Sequence, residues 1–119
     1  MILGIETSFN DTGAAVVRGT GEVLSNKISS FTDHYLEQHA PLRAAEHHIS
    51  QLPDLVESAL EEAKKSINDM KAIAVTMGPG QHLSLQAGLN FAQAVGIKYN
   101  IPVIPVNHIE AHVFTPRMI

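Results

Sequence analysis

The spacing of apolar and polar residues changes several times along this chain, and each spacing predicts a different element. Short apolar runs rich in small and β-branched residues predict five strands, at residues 1–6, 13–18, 22–30, 71–76 and 101–106. Between the second and third runs, Gly19-Thr20-Gly21 is typical of a hairpin turn. The first three strands are therefore predicted to form a meander.

Longer segments between the later strands repeat apolar residues at intervals of three and four, the spacing of one buried helix face. The first helix is predicted over residues 42–67, with a buried stripe made of Leu42, Ala45, Ile49, Leu52, Val56, Ala59, Ala63 and Ile67. Pro53 falls inside this stripe, so we expect a kink or a break near Leu52. A second helix is predicted over residues 83–99, where small residues four apart allow very close packing: Gly88, Ala92 and Gly96.

A third helix is predicted after the fifth strand, with Asn107 as its capping residue. The order β-β-β-α-β-α-β-α predicts an α/β fold with a mixed sheet that includes parallel strands. Parallel sheets place their binding residues at the carboxyl ends of strands. Polar or glycine-rich turns follow three of the predicted strands, at residues 7–12, 78–80 and 107–112. If those strands are neighbours, the three turns line one edge of the sheet.

The first of these turns is dense in hydroxyl and carboxylate groups. Its backbone N–H groups, Ser8 and Thr12 could hold phosphate oxygens, and Asp11 could orient a water molecule or a nucleophile. The alternative is a turn held by its own Asx and Ser/Thr hydrogen bonds. In the second turn, Gly78 and Gly80 allow a ligand to approach the following helix N-terminus, although a plain tight turn has the same composition.

The third turn contains two histidines four residues apart, His108 and His112, which would share one face of a helix. Two imidazoles so placed can hold one metal ion if at least one more ligand comes from elsewhere. The alternative is that both are polar surface residues. A zinc peptidase motif needs Glu directly after the first His, but Ile109 stands there and Glu110 comes one residue later. The remaining histidines near the first helix are expected mostly at the surface: His34, His39, His47 and His48.

The composition is ordinary for a small α/β domain. The chain has 119 residues, 45% of them hydrophobic, with a formal net charge of −4 that gives no nucleic-acid footprint by itself. It has no cysteine, which excludes disulfides and thiol chemistry, and no apolar run long enough to span a membrane. Because Met1 leads directly into a strand, we expect no targeting peptide and a cytoplasmic location; a mitochondrial protein whose presequence was removed is the alternative.

Five segments, in the correct order and spacing across the whole chain, resemble the motifs of one family: residues 2–8, 11–17, 72–80, 84–89 and 106–112. They are similar to the TsaD family, the tRNA N6-threonylcarbamoyladenosine synthases, formerly mislabelled O-sialoglycoprotein endopeptidases. The resemblance implies the two-lobed fold of actin, Hsp70 and sugar kinases, in which each lobe has a ribonuclease-H-like mixed sheet. Because family members are much longer, residues 1–119 are expected to form a single partial domain, the amino-terminal part of the first lobe.

The resemblance also implies an activity. The family transfers a threonylcarbamoyl group from threonylcarbamoyl-AMP to N6 of adenosine 37 in tRNA, with TsaB- and TsaE-like partner proteins or as a homodimer. His108 and His112 match the family's two histidine ligands for one iron or zinc ion, whose third ligand, an Asp, would lie outside this chain. Asp11 matches an acidic residue near the reacting centre, and the loop of Ser8 and Thr12 faces the nucleotide.

The chain departs from the family pattern in the first loop, where Phe9-Asn10 replaces the common Cys-Asp and removes one carboxylate. Gln81-His82 also stands where apolar or small residues are usual. A different class of function remains open from the sequence: a TsaB-like or degenerate scaffold module that dimerises with an active partner. The His-x-x-x-His motif separates the two, since TsaB-type proteins generally lack it.

Overall fold

The computed structural model describes residues 1–8, 11–30, 40–80 and 82–107. Its elements are five strands, two α-helices and a short 3-10 helix at Ile67–Asp69. The strands are β1 Ile2–Glu6, β2 Thr12–Val17, β3 Val23–Ser29, β4 Ala72–Gly78 and β5 Val103–Asn107, and the helices are α1 Ala40–Ala63 and α2 His82–Tyr99. The predicted third helix, from residue 108 onward, lies outside the described residues.

The five strands form one sheet in the order β3-β2-β1-β4-β5. The meander β1, β2 and β3 is antiparallel, whereas β4 pairs in parallel with both β1 and β5. The predicted α/β fold with a mixed sheet is therefore confirmed. Because β1, β4 and β5 are parallel neighbours, their carboxyl ends at Glu6, Gly78 and Asn107 meet at one edge of the sheet.

The core lies between the sheet and the two helices. Inward-facing residues of β1, β2 and β4 alternate with outward ones, as the pleat requires, and pack against apolar residues of the helices. α1 packs on β2 and β3, and α2 packs mainly on β4 and on α1. The fully buried residues of this core include Leu3, Val16, Leu52, Ile73, Val75 and Ala92.

Polar contacts tie α1 to β3 at the margin of this core. Ser25 Oγ donates a hydrogen bond of 2.7 Å to the carbonyl oxygen of Ala59. Lys27 Nζ lies 3.1 Å from Glu62 Oε2 in a partly exposed ion pair. These contacts provide partners for polar side chains of β3, which is one of the two edge strands of the sheet.

The prediction of a kink or a break near Leu52 is wrong for the break, since no break occurs there. Instead, α1 continues through Pro53 as one helix of 24 residues. Pro53 is exposed, so the carbonyl that loses its hydrogen bond can be solvated instead. The helix ends earlier than predicted, at Ala63, and Lys64 follows with a left-handed φ of 57°. Residue 67 therefore belongs to the short 3-10 helix and not to α1.

The buried stripe of α1 differs from the predicted one at Ile49, whereas four predicted members are buried: Ala45, Leu52, Val56 and Ala59. Ile49 was expected in the core but is 61% exposed, while His48 beside it is fully buried. Because one residue is about 100° of rotation on a helix, only one of the two neighbours can face the sheet. The hydrogen bond of His48 described below makes burial of the polar residue possible.

The expectation of close packing along α2 is confirmed. A Cβ atom placed on Gly96 would lie 2.7 Å from the carbonyl oxygen of Ile101 and 2.9 Å from Val103 Cγ2. Ala92 is fully buried in the same row. None of the described helices combines the length and the apolarity that crossing a bilayer requires.

Candidate functional site at the carboxyl edge of the sheet

The carboxylate of Glu6 joins the ends of the two central strands. Its Oε2 atom accepts a hydrogen bond of 2.6 Å from Thr76 Oγ1, near the end of β4. Its Oε1 atom accepts from the backbone N–H of Ser8 at 2.5 Å and also from Ser8 Oγ. One half-buried side chain therefore connects β1, the following loop and β4.

The loop after β4 packs directly on the loop after β1. A Cβ atom at Gly80 would lie 2.6 Å from the carbonyl oxygen of Ser8 and 2.8 Å from its Cβ, closer than atoms can approach. Gly78 has a φ of 150°, which residues with a Cβ atom rarely adopt. Both glycines are therefore required by the backbone geometry at this edge, whether or not a ligand approaches them.

The first turn of α2 is attached to the same loop. Thr7 is fully buried, and its Oγ1 atom donates a hydrogen bond of 2.7 Å to the carbonyl oxygen of Ser84. A Cβ atom on Gly88, one turn later, would collide with the Thr7 side chain. The end of β1 is thus held by contacts with both β4 and α2.

Asp11 and Thr12, at the start of β2, point in opposite directions because successive strand residues alternate between faces. Thr12 is fully buried on the helix side, where its Oγ1 atom lies 2.5 Å from Nδ1 of His48. The hydroxyl of Thr12 therefore bonds within the protein, rather than lying open at the edge as a phosphate contact would require. Asp11 is exposed and lies on the face that also carries Glu6, since Glu6 pairs with Gly13 in the β1–β2 register.

His108 and His112, the predicted metal ligands, lie outside the described residues. The segment that carries them follows β5 directly, and β5 ends at Asn107, beside Gly78 of β4. The chain thus enters this segment at the same edge as Glu6 and Ser8. Within the described part of the chain, no three His, Cys, Asp or Glu side chains are grouped so that they could hold a metal ion.

A shallow groove occurs at the other end of α2. It is lined by Gln93, Gly96, Ile97, Asn100, Ile101 and Val103. None of these side chains is a carboxylate, an imidazole or a cation, so the groove offers little chemistry. The carboxyl edge, with its converging loops, is the better candidate for a functional site.

The roles of two residues at this edge were not predicted from the sequence, those of Glu6 and His48. The sequence predicts only that Glu6 ends a strand, whereas its two carboxylate oxygens connect separate elements. His48 was expected at the surface but is buried against Thr12. The one available signal was a carboxylate that ends an apolar run and is followed by two hydroxyl residues, which favours a local hydrogen-bonded loop.

Comparison with known proteins shows which family this chain matches. The family model described as TsaD, tRNA N6-adenosine threonylcarbamoyltransferase, matches residues 22–119. An Arabidopsis thaliana protein named as a probable mitochondrial tRNA N6-adenosine threonylcarbamoyltransferase is 41% identical over 100% of this chain, which covers 25% of that protein. The tRNA N6-adenosine threonylcarbamoyltransferase of Bacillus subtilis is 38% identical over 99% of the chain, which covers 35% of it.

Solved structures support the fold. The structure of YeaZ from Pseudomonas aeruginosa superposes with a TM-score of 0.70 at 21% sequence identity. The match covers 89% of this chain and 43% of the YeaZ chain. RuvC from Thermus thermophilus, solved with a Holliday junction substrate, gives a TM-score of 0.57 at 11% sequence identity. That match covers 94% of this chain and 67% of the RuvC chain. The likeness to these neighbours supports the predicted ribonuclease-H-like sheet, and at these identities it concerns the fold alone.

The contact between Gly88 and Thr7 leads to a first prediction. We expect Gly88→Ala to lower the free energy of unfolding by about 1–3 kcal/mol, because the added methyl group forces α2 away from the end of β1. Gly19→Ala is the matched control, since a Cβ atom there meets nothing within 4 Å. Denaturant unfolding of both variants is the measurement, and equal stability of the two would contradict the close approach.

Proposed function

The chain belongs to the TsaD family of tRNA N6-adenosine threonylcarbamoyltransferases, and we propose that the full-length protein makes threonylcarbamoyladenosine in tRNA. The match of the family model to residues 22–119, with 41% identity to a relative over the whole chain, carries this proposal. The chain spans only 25% to 35% of the length of the relatives described above. The activity is therefore proposed for the whole protein, in which these residues supply one side of the site.

The reaction proposed is the transfer of the threonylcarbamoyl group from threonylcarbamoyl-AMP to N6 of adenosine 37. Ser8, Gly78 and Gly80 lie at the converging loops, where the backbone can approach a nucleotide closely. The side chain of Thr12 faces the helices and supports this loop from inside through His48. Asp11, exposed at the same edge, would orient the attacking amine or its leaving proton.

The proposed metal site consists of His108 and His112, with a third ligand outside this chain. Imidazole nitrogens four residues apart suit zinc or iron, and the preceding strand delivers the segment to the same edge as Glu6. When bound, the metal would polarise the threonylcarbamoyl group as a Lewis acid. The described residues contribute by holding the loops around the nucleotide, which excludes water and limits the motion of the donor.

The proposed partners are tRNA and TsaB- or TsaE-like proteins, with a homodimer as the alternative. A net charge of −4 gives this segment no electrostatic attraction for the tRNA backbone, so other parts of the protein or its partners must supply the cations. We place the protein in the cytoplasm or, as for the relative named mitochondrial, in that organelle. The scaffold alternative is not favoured, because the family match is to the transferases.

The proposed function is tested by nucleoside analysis of tRNA. We expect the full-length protein with its partners and threonylcarbamoyl-AMP to form threonylcarbamoyladenosine, and residues 1–119 alone to form none, because the site needs both lobes. Unmodified tRNA incubated without the protein is the control. Product formed by residues 1–119 alone would refute the two-lobe requirement, and none from the complete system would refute the function.

A second prediction concerns Asp11. In the full-length protein, Asp11→Ala should lower kcat by at least about tenfold, equivalent to about 1.4 kcal/mol, because the carboxylate acts mainly in the transition state. The affinity for tRNA should change by less than about twofold. Asp54→Ala, at an exposed position on α1, is the matched control. Unchanged kcat in Asp11→Ala would remove the residue from the mechanism.

A third prediction concerns the metal. We expect the full-length protein to bind about one zinc or iron ion per chain, and His108→Ala and His112→Ala each to reduce that content by more than about half. His82→Ala, at an exposed position on α2, should retain it. Elemental analysis of the purified proteins measures the content. If both variants keep the wild-type stoichiometry, these histidines are not the ligands.

A further inference from the structure

We propose that Glu6 is a positioning residue: its carboxylate fixes Ser8 against the end of β4 and so limits the position of Asp11, three residues further along the chain. This inference rests on the proposed function, since Asp11 is proposed to act in the transfer reaction. It does not place Glu6 in contact with the reacting atoms. The role follows from hydrogen bonds to three donors on two different segments of the chain.

The two carboxylate oxygens of Glu6 serve different elements. Oε1 accepts two hydrogen bonds from Ser8, and Oε2 accepts one from Thr76, 70 residues away in the sequence. Ser8 itself is only 2% exposed. The position of Ser8 is therefore set by two hydrogen bonds to a side chain that is itself bonded to β4.

The described residues on either side of residues 9 and 10 are each attached to other elements. On the β1 side, Ser8 is bonded to Glu6 and packed against Gly80. On the β2 side, Thr12 is bonded to the buried His48. Asp11 directly precedes Thr12, on the same face as Glu6, so its position depends on these two attachments. A displacement of about 1 Å in a catalytic group can reduce a rate by about 100-fold.

The attachment requires an acceptor oxygen for Ser8 at the Oε1 position and a hydrogen-bonding partner for the Thr76 hydroxyl at the Oε2 position, and it does not require the negative charge. A glutamine can place its carbonyl oxygen toward Ser8 and its amide toward the Thr76 hydroxyl, which can accept as well as donate. Glu6→Gln therefore keeps the geometry and removes the charge, whereas Glu6→Ala removes both. The pair separates a positioning role from a direct electrostatic one.

The experiment compares Glu6→Gln and Glu6→Ala in the full-length protein with its partners. We expect Glu6→Ala to lower kcat by about 10- to 100-fold with the KM for threonylcarbamoyl-AMP within about threefold of wild type. Glu6→Gln should restore kcat to within about threefold of wild type. Equal losses in the two variants would show that the charge itself is needed and would overturn the proposal, as would wild-type kcat in Glu6→Ala.

Thr76→Val provides an independent test if Glu6→Ala does not fold. The substitution removes only the hydrogen bond to Oε2 and keeps the side-chain shape. We expect a loss in kcat of about threefold to tenfold, and no further loss when it is combined with Glu6→Gln, because both changes act on one interaction. Wild-type kcat in Thr76→Val, or fully multiplicative losses in the double variant, would overturn the proposal.

Hydrogen exchange separates failure of this inference from failure of the proposed function. The peptide containing Ser8 should exchange faster in Thr76→Val and in Glu6→Ala than in wild type or Glu6→Gln. If the wild-type protein forms no threonylcarbamoyladenosine, the proposed function fails, and the inference fails with it, since no transfer reaction remains to be positioned. If activity is present and exchange at Ser8 is the same in all four proteins, the positioning role of Glu6 alone is refuted.

Discussion

The parallel pairing of β1 with β4 is the constraint on which the rest of this structure depends. Parallel neighbours need a long connection, and here the chain between them forms β2, β3 and α1 before it returns to the sheet. The same pairing brings Glu6 and Thr76 side by side at the carboxyl edge, where their side chains are hydrogen-bonded. The hydrogen bond between these two residues, which lie 70 positions apart in the sequence, is thus a direct consequence of the strand order.

Close backbone approach is the second condition for this edge. Gly80 lets one loop rest on Ser8, and Gly88 lets the first turns of α2 rest on Thr7. Neither glycine has to contact a ligand to be required, because the protein's own atoms already fill the space where a Cβ atom would lie. For the glycine-rich turn at residues 78–80, the sequence left open a ligand approach or a plain tight turn. The contact of Gly80 with Ser8 shows that packing alone already requires a glycine there.

The elements could be predicted from the sequence because each has a regular period. Both ends of β1, β2 and α2 lie within one residue of the prediction. The convergence of the carboxyl ends of β1, β4 and β5 was predicted on the condition that these strands are neighbours, and the strand order meets that condition. The missed features were polar contacts across long separations: the burial of His48 against Thr12 and the two-sided bonding of Glu6. Periodicity records which positions are apolar, so it places Ile49 in the core and cannot anticipate that a bonded histidine takes its place.

The groups at this edge limit what the described residues can contribute to the proposed reaction. They include a carboxylate already bonded to its neighbours, hydroxyl groups that bond within the protein and an exposed Asp11, and among the described residues there is no group of three metal ligands. In the proposed reaction this edge would orient the nucleotide, and developing negative charge would have to be stabilised by cations or a metal. The proposed metal site needs a ligand beyond His108 and His112, so the proposal requires groups that the described residues do not supply. The bonds that attach Ser8 to Glu6 and Glu6 to β4 lie within the described residues, so this part of the edge is ordered by the protein's own contacts and does not depend on a bound donor.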